Sequence, residues 1–437
     1  MAERVNTVAA VTTVESRMPA GRLRKLQTLG IFCGVVAGAW LGGAEAPIKM
    51  VNPEVSPITV SLIMVFGVFL ARWSVPALVR GTSSVRYDVS QAPHLVVWAV
   101  LAGCMWAAAN TLTIYAIRNV GLSIAFPLWN ANSLLGIFWG FLLFNELHYA
   151  GWKRWLGVLG GAAAMFAGAT LLALASSSQA APGKGMLGVI AALGAGVLWG
   201  TMYIPYRKAY LTGMNPLSFL TFFTVGELVT MMALAVGYKG AAALWQELMS
   251  ARSLLFWLML GGFVWVIGDL FQQYAAKYVG ISRGIPLSNT NQLWGLLWGT
   301  LVFHELQGGN RTVYSQVIGG SVLMGLGALA IALSSASERE HSSWRDAAER
   351  EGQRYGIEEG YVRAGMEGRE FAAGGKRRTV IDYILLAGTT AVFIVLATAA
   401  RVPRMDMHLP WAAALAAAML VLLLSCGITL WRTTGFR

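Results

Sequence analysis

The sequence predicts an all-α polytopic membrane protein: a ten-span inverted repeat, five plus five, with two further spans appended at the C-terminal end. Three observations carry that prediction: scarce charge, long apolar runs, and an internal repeat at an offset of 159 residues. Of 437 residues, 56% are hydrophobic and 12% are charged, with a mean hydropathy of +0.58. A soluble domain carries about 25% charged residues. Eighteen of the 54 charges sit in residues 338–378, nine acidic and nine basic, so the rest of the chain is poorer still. This composition excludes a soluble enzyme and a nucleic-acid binder. The net charge of +12 arises from Lys and Arg placed singly between apolar runs. Cys33, Cys104 and Cys426 fall in separate apolar runs and read as small core residues. No metal and no cofactor is expected, because cysteine ligands would have to cluster.

A helix needs about 20 residues to cross a hydrocarbon core of ~30 Å. Ten apolar runs of that order lie near 26–46, 57–79, 94–116, 122–144, 154–175, 186–206, 217–238, 254–275, 281–303 and 313–334. Two more lie near 380–400 and 409–431. The runs are continuous and lack the alternation of an outer-membrane barrel. Residues 1–25 are polar and carry Arg17, Arg22, Arg24 and Lys25, the basic flank of a retained helix rather than of a signal peptide. That flank predicts both termini in the cytoplasm of a cell with a bacterial-style inner membrane. Arg80, Arg86, Lys153, Arg154, Arg207, Lys208, Lys277, Arg283 and the charged stretch then fall on the inner side. The domains expected are a tail (1–25), a first repeat (26–175), a second repeat (176–334), a charged cytoplasmic linker (335–379) and two appended spans (380–437).

Residues 106–147 and 265–306 match at 18 of 42 positions. They share a Trp (Trp106 and Trp265), Gly121-Leu-Ser123 with Gly280-Ile-Ser282, Pro127-Leu-Trp-Asn130-Ala-Asn132 with Pro286-Leu-Ser-Asn289-Thr-Asn291, and Glu146 with Glu305. Five spans per copy is an odd number, so the second copy enters the membrane upside down. Inverted repeats build alternating-access carriers, with the solute held near midplane between the halves.

Ten helices in two halves, each with a Gly-x-Ser-x3-Pro entry to its fourth helix and a Glu at that helix's end, resemble the drug/metabolite transporter superfamily of EamA-like carriers. The Pro-Leu-x-Asn-x-Asn stretch resembles its sugar-uptake branch, the glucose/ribose porters and rhamnose–proton symporters. The resemblance covers about 26–334 and leaves the charged linker and the last two spans unassigned. It implies a secondary carrier, not an enzyme, taking up a small sugar or similar polyhydroxylated solute together with a proton. An exporter of metabolites or drugs, and a non-transporting membrane scaffold or sensor, are the alternatives. The expected partners are the bilayer, a sugar-like solute and a proton; a homodimer stays open.

Polar residues at membrane depth are costly and mark a cavity or a helix contact. Asn130, Asn132, Asn289 and Asn291, with Gln292, lie near the middle of the fourth span of each half and are candidates for binding solute hydroxyls. Within each Asn pair, one is expected to line the cavity and the other to bond a neighbouring helix, and Pro127 and Pro286 are expected to kink these helices. Trp129 and Trp294 offer faces on which a sugar ring stacks, or else pack between helices. Asn110, the repeat partner of Asp269, joins the solute-binding set. Glu227 and Asp269 face Val68 and Asn110 across the repeat, so neither has an acidic counterpart. Each is a candidate for the coupling proton, or for an ion pair with Arg207 or Lys208. Glu45 and Lys49 read as an ion pair, and Glu146 and Glu305 as helix-boundary residues with gating as the alternative. Gly30, Gly34, Gly38 and Gly42 form a stripe for close helix packing. Gly280-Ile-Ser-Arg-Gly284 fits a nucleophile elbow only formally, since that motif needs a strand-to-helix turn. The stretch 338–378 reads as a solvated linker with a surface helix around Trp344–Tyr361, or as an element that binds a partner.

Overall fold

The computed structural model describes residues 19–44, 46–47, 55–120, 125, 128–129, 132–175, 185–304, 311–369, 378–401 and 407–434. In chain order the helices are α1 (Ala20–Gly43), α2 (Pro57–Val79), α3 (Thr82–Gln91), α4 (His94–Val120), α5 (Asn132–Phe144) and α6 (Gly151–Ala175). The second half holds α7 (Gly185–Leu211), α8 (Pro216–Lys239), α9 (Ala241–Ser250), α10 (Leu255–Val279), α11 (Ile281–Ser288), α12 (Asn291–Leu297) and α13 (Arg311–Leu333). The remainder forms α14 (Glu338–Tyr355), α15 (Glu359–Met366), α16 (Val380–Ala399) and α17 (Leu409–Thr434). Ten of these are long and apolar enough to cross a membrane, and no strand occurs among the described residues. The chain is an all-α polytopic membrane protein.

The fourth span of the second half departs from the continuous helix expected at 281–303, while part of the one expected at 122–144 lies outside the described residues. In the first half the described helix begins only at Asn132. In the second, α11 stops at Ser288, α12 starts at Asn291, and a π turn follows at Trp298–Val302. The break comes after Pro286 rather than at it. Asn289 and Thr290 donate their backbone N–H groups three residues back, to Pro286 and Leu287, so the last turn tightens. The hydroxyls of Ser288 and Thr290 return to the carbonyls of Ile285 and Leu287. Irregular backbone at membrane depth is tolerated only inside protein or along a cavity.

Packing follows the repeat. α1 packs on α10 as α4 packs on α7, α2 on α10 as α4 on α8, and α1 on α11 and α12 as α5 on α7. α2 meets α8, and α6 meets α13. The closest approaches are made at glycines. A Cβ on Gly103 would lie 2.0 Å from the Phe223 carbonyl, and one on Gly262 would lie 2.1 Å from that of Met64. Gly67 stands likewise 2.1 Å from the Met259 carbonyl and Gly226 2.1 Å from that of Val100. Every residue in these four contacts has its counterpart 159 positions away in another of them. The Trp106 and Trp265 rings touch edge to face, with centroids 5.4 Å apart. A residue that touches its own counterpart lies on the axis relating the halves. The stripe expected on α1 also packs closely: Gly30 faces Val279, Gly34 faces Leu287, Gly38 faces Thr290 and Gly42 faces Asn291.

The appended spans lie outside this ten-helix bundle. α16 rests on α2 and α10, and α17 rests on α1, where Cys33 and Cys426 meet with sulfurs 3.6 Å apart. The charged stretch is not a solvated linker over its described length. Ser337 and Glu340 form a capping box that starts α14, and Gly356 ends it with a left-handed φ of 65°. α14 and α15 fold onto one end of the bundle, where Trp344 is 1% exposed. His341 sits there beside Gln27, with ring nitrogen and amide 3.0 Å apart. Burial first, then the charges of Arg207, Arg283 and Arg345, push its imidazole down to about 3.

Two outcomes follow from this packing. Gly103→Ala and Gly262→Ala should each lower the melting temperature in detergent by an amount corresponding to about 1–3 kcal/mol, as overpacking does. Gly325→Ala, with open space around its site, should leave it unchanged. For His341 the docked state holds the ring neutral while the free state titrates near ~6.5. Docking of α14 is therefore complete above that pH and weakens as pH falls below it, by up to about tenfold per unit. After correction for the intrinsic exchange rate, which itself slows as pH falls, the protection of amides over 338–355 should drop between pH 7.5 and 5.5, and His341→Gln should flatten that dependence.

Candidate functional site

The site is built in layers along the contact between the halves. At its centre is a residue absent from the sequence-based candidates, Arg72 of α2. Its Nη1 lies 2.7 Å from Glu227 Oε2 on α8, and its Nη2 lies 2.7 Å from Asp269 Oδ2 on α10. All three side chains are 2% exposed or less. The guanidinium lies over the ring of Phe223, 4.4 Å from its centroid, and 5.4 Å from that of Trp265. Asp269 also accepts from Gln273 Nε2 (2.9 Å), whose own oxygen accepts from the Tyr210 hydroxyl (3.0 Å). The buried Tyr206 hydroxyl has no hydrogen-bond partner among the described residues. The triad sets two carboxylates against one guanidinium.

The expected partners of these acids, Arg207 and Lys208, are engaged elsewhere. Arg207 Nε lies 2.8 Å from Glu146 Oε1, and Lys208 Nζ lies 3.3 Å from Glu351 Oε2. Arg207 sits near the end of α7, where its Nη1 reaches the carbonyls of Ala276 and Lys277, about two turns beyond Asp269 on α10. Arg72 breaks the repeat as they do, since Met231 holds its counterpart position. A lone arginine inside the apolar run 57–79 was the available signal, and intramembrane charges are functional by default.

The second layer surrounds the helix break. Asn289 Nδ2 donates to Ser133 Oγ at 2.6 Å, and that hydroxyl donates to Asn132 Oδ1 at 3.1 Å. Ser133, Pro286, Asn289 and Gln292 line a cavity of about 10 Å³ with Phe166 and Met165. That is room for about one water molecule. Asn289, Asn132 and Gln292 are thus brought together across the halves. Asn291 is not: its backbone carbonyl backs onto Gly42 of α1, and its side-chain oxygen is buried with no hydrogen-bond partner among the described residues. Two residues on, a helical side chain points to the opposite face. Trp294 follows Asn291 to that side and packs with α1, beside Gly42. Trp129 is buried edge-on against Trp199, at 6.2 Å between centroids. Asn110 is half-buried on α4. Asn130, Glu45, Lys49 and Glu305 lie outside the described residues.

The third layer closes one end of the bundle. Asn145 and Leu147, at φ 54° and 66°, turn the chain after α5 so that the buried Glu146 points back inward. Its carboxylate accepts from the backbone N–H groups of Ile281 (3.1 Å) and Ser282 (2.9 Å) at the start of α11, and pairs with Arg207. A carboxylate is favoured at a helix N-terminus. Glu146 therefore ties the two halves together at this end. No cluster of His, Cys, Asp and Glu suited to a metal ion occurs among the described residues.

A helical scaffold of two related halves, with a broken helix at its centre and paired charges between the halves, defines an all-α multi-pass membrane protein. Comparison with known proteins narrows the class. Residues 189–355 match the family model described as "Sugar transport protein". A "Putative sugar uptake protein" of Listeria innocua serovar 6a is 23% identical over 235 residues, covering 53% of this chain and 76% of its own length. One of Streptococcus pyogenes serotype M1 is 46% identical over 66 residues, 14% of this chain. The chain spans about a quarter, 23%, of the length of that streptococcal relative. The similarity is to the sugar-uptake branch of a membrane transporter family.

The central triad makes its own prediction. Arg72→Met leaves two buried carboxylates unpaired and should destabilise the protein by about 3–5 kcal/mol. Adding Glu227→Gln and Asp269→Asn to Arg72→Met should restore most of the melting temperature, because no buried charge is then left unmatched. A triple variant as unstable as the single one would show that the triad does not act as a unit.

Proposed function

We propose that the protein is a secondary carrier that takes up a small sugar or similar polyhydroxylated solute together with a proton. The observation that carries this reading is the Arg72–Glu227–Asp269 triad, held between the halves where no repeat counterpart exists. A scaffold kept only for stability gains little from three charges in hydrocarbon, since apolar residues of similar volume pack there at no greater cost. A carrier that takes up a proton needs a site whose charge changes. Two carboxylates sharing one guanidinium form such a site: a proton on either acid releases it from Arg72 without leaving the cation unpaired. The amide and hydroxyl groups of Asn289, Ser133 and Gln292 supply donors and acceptors for sugar hydroxyls on the other side of α11. The names of the relatives favour uptake over export. The face covered by α14 and α15 is cytoplasmic in this reading, in line with the basic flank before α1.

A panel of sugars and other metabolites should contain at least one that raises the melting temperature of the purified protein. In proteoliposomes, Glu227→Gln or Asp269→Asn should still exchange that solute but lose its accumulation under a pH gradient. Gradient-driven accumulation intact in both variants would rule out proton coupling through the triad. A panel in which only lipophilic drugs or amino acids stabilise the protein would instead favour the exporter.

A further inference from the structure

We propose that α14 and α15 are a latch: docked, they hold one end of the carrier shut, and they must undock before the solute chamber opens on that face. This rests on the carrier reading above. An inverted-repeat carrier opens by rocking its halves apart at one face, and here a segment outside both repeats is fastened to each. To the first half, Gln27 donates to the Ala336 carbonyl (2.7 Å) and Arg22 to that of Glu367 (3.0 Å). The Leu147 N–H donates to Glu340 (2.8 Å), and the Tyr361 hydroxyl donates to Asp88 of α3 (2.9 Å). To the second half, Arg283 of α11 grips both oxygens of Glu340, at 2.8 and 3.1 Å. The Trp344 ring lies under the Arg207 guanidinium at 4.3 Å, and Gly365 abuts Gly213. At the corresponding place after the first repeat the chain offers only residues 176–184.

The charge count makes docking a condition of closure. Arg207 and Arg283, both 1% exposed, are buried cations at this end; Glu146 of the bundle pairs with Arg207 and Asp88 lies beside Arg80, so Arg283 takes a second carboxylate from outside the bundle. The second carboxylate is Glu340, which belongs to α14, is fully buried and comes in only with the latch. Removing one partner of a buried pair is strongly unfavourable, so an undocked latch leaves the end of the bundle with an unmatched arginine and favours its opening to water.

The test has two arms, both with Cys33, Cys104 and Cys426 replaced by alanine. In the first, Ala276→Cys places a thiol at a buried position beneath Arg207, whose Nη1 bonds the Ala276 carbonyl (3.4 Å). A membrane-impermeant thiol reagent is applied from the α14 side. Glu340→Gln and Trp344→Ala should each raise the labelling rate about tenfold, the change expected when a closed state loses one tenfold step of stabilisation. Labelling unchanged in both variants overturns the latch. The second arm needs no destabilised protein: Tyr149→Cys and Ser337→Cys, where the serine hydroxyl reaches the Tyr149 carbonyl at 3.2 Å, are joined by a short reducible bis-thiosulfonate linker. Counterflow of the stabilising sugar should stop and return with reductant; full counterflow in the linked protein overturns the proposal. Should no sugar stabilise the wild type, the carrier reading fails, while the labelling arm still decides whether α14 seals this end.

Discussion

A charge placed in hydrocarbon must find its partner inside the protein, and the arrangement of this molecule depends on that constraint. Arg72 satisfies it twice, joining α2 to α8 through Glu227 and to α10 through Asp269. The same rule operates at the end of the bundle, where Arg207 meets Glu146 and Arg283 meets Glu340. The two levels differ in their arithmetic. The central level has one carboxylate in excess. At the end level Arg283 finds its carboxylate only when a residue from outside the ten-helix bundle is docked. Both are therefore positions at which the energy of the molecule changes with the gain or loss of a single charge.

Around these charges the scaffold is symmetric, and its symmetry is made of small residues. Gly67, Gly103, Gly226 and Gly262 let backbones approach so closely that any side chain would collide with a carbonyl. Without a hydrophobic drive between helices in lipid, such close packing is a main source of cohesion. Gly161 against Gly327 and Gly168 against Gly320 repeat the device between α6 and α13. The charges break the symmetry that the glycines keep: Val68, Asn110 and Met231 stand where Glu227, Asp269 and Arg72 have their counterparts. Packing was duplicated and kept; chemistry was placed in one copy of each position only.

The helix break after α11 connects packing to site. Ser288 and Thr290 return their hydroxyls to the backbone, the ladder tightens, and α11 ends with the Asn289 amide facing Ser133 across the halves. A regular helix from 281 to 303 would offer no such exposed turn. The π turn that follows bends the chain again before Phe303. The break lies where the two halves meet, and the π turn packs against the appended α17.

The sequence alone determined the class of the molecule, because apolar length, charge scarcity and the 159-residue repeat are properties of the chain and need no partner to be read. It also marked Glu227 and Asp269, since an unmatched acid in a repeat is visible by alignment of the chain with itself. It did not assign their partner. Arg207 and Lys208 are nearer in the chain to Glu227 than Arg72 is, yet they lie at a helix end, and only the packing of α2 between α8 and α10 brings Arg72 to the acids. The division of labour between Asn289 and Asn291 was legible as a rule of helical geometry, but which of the two faces the cavity was decided by the break after Ser288. For 338–378 local composition argued for solvation, and the capping box and the burial of Trp344 reversed that over the described part. Charge-rich helices become buried when the surface beneath carries the opposite charges, and that surface, assembled from the ends of α5, α7 and α11, exists only once the chain has folded.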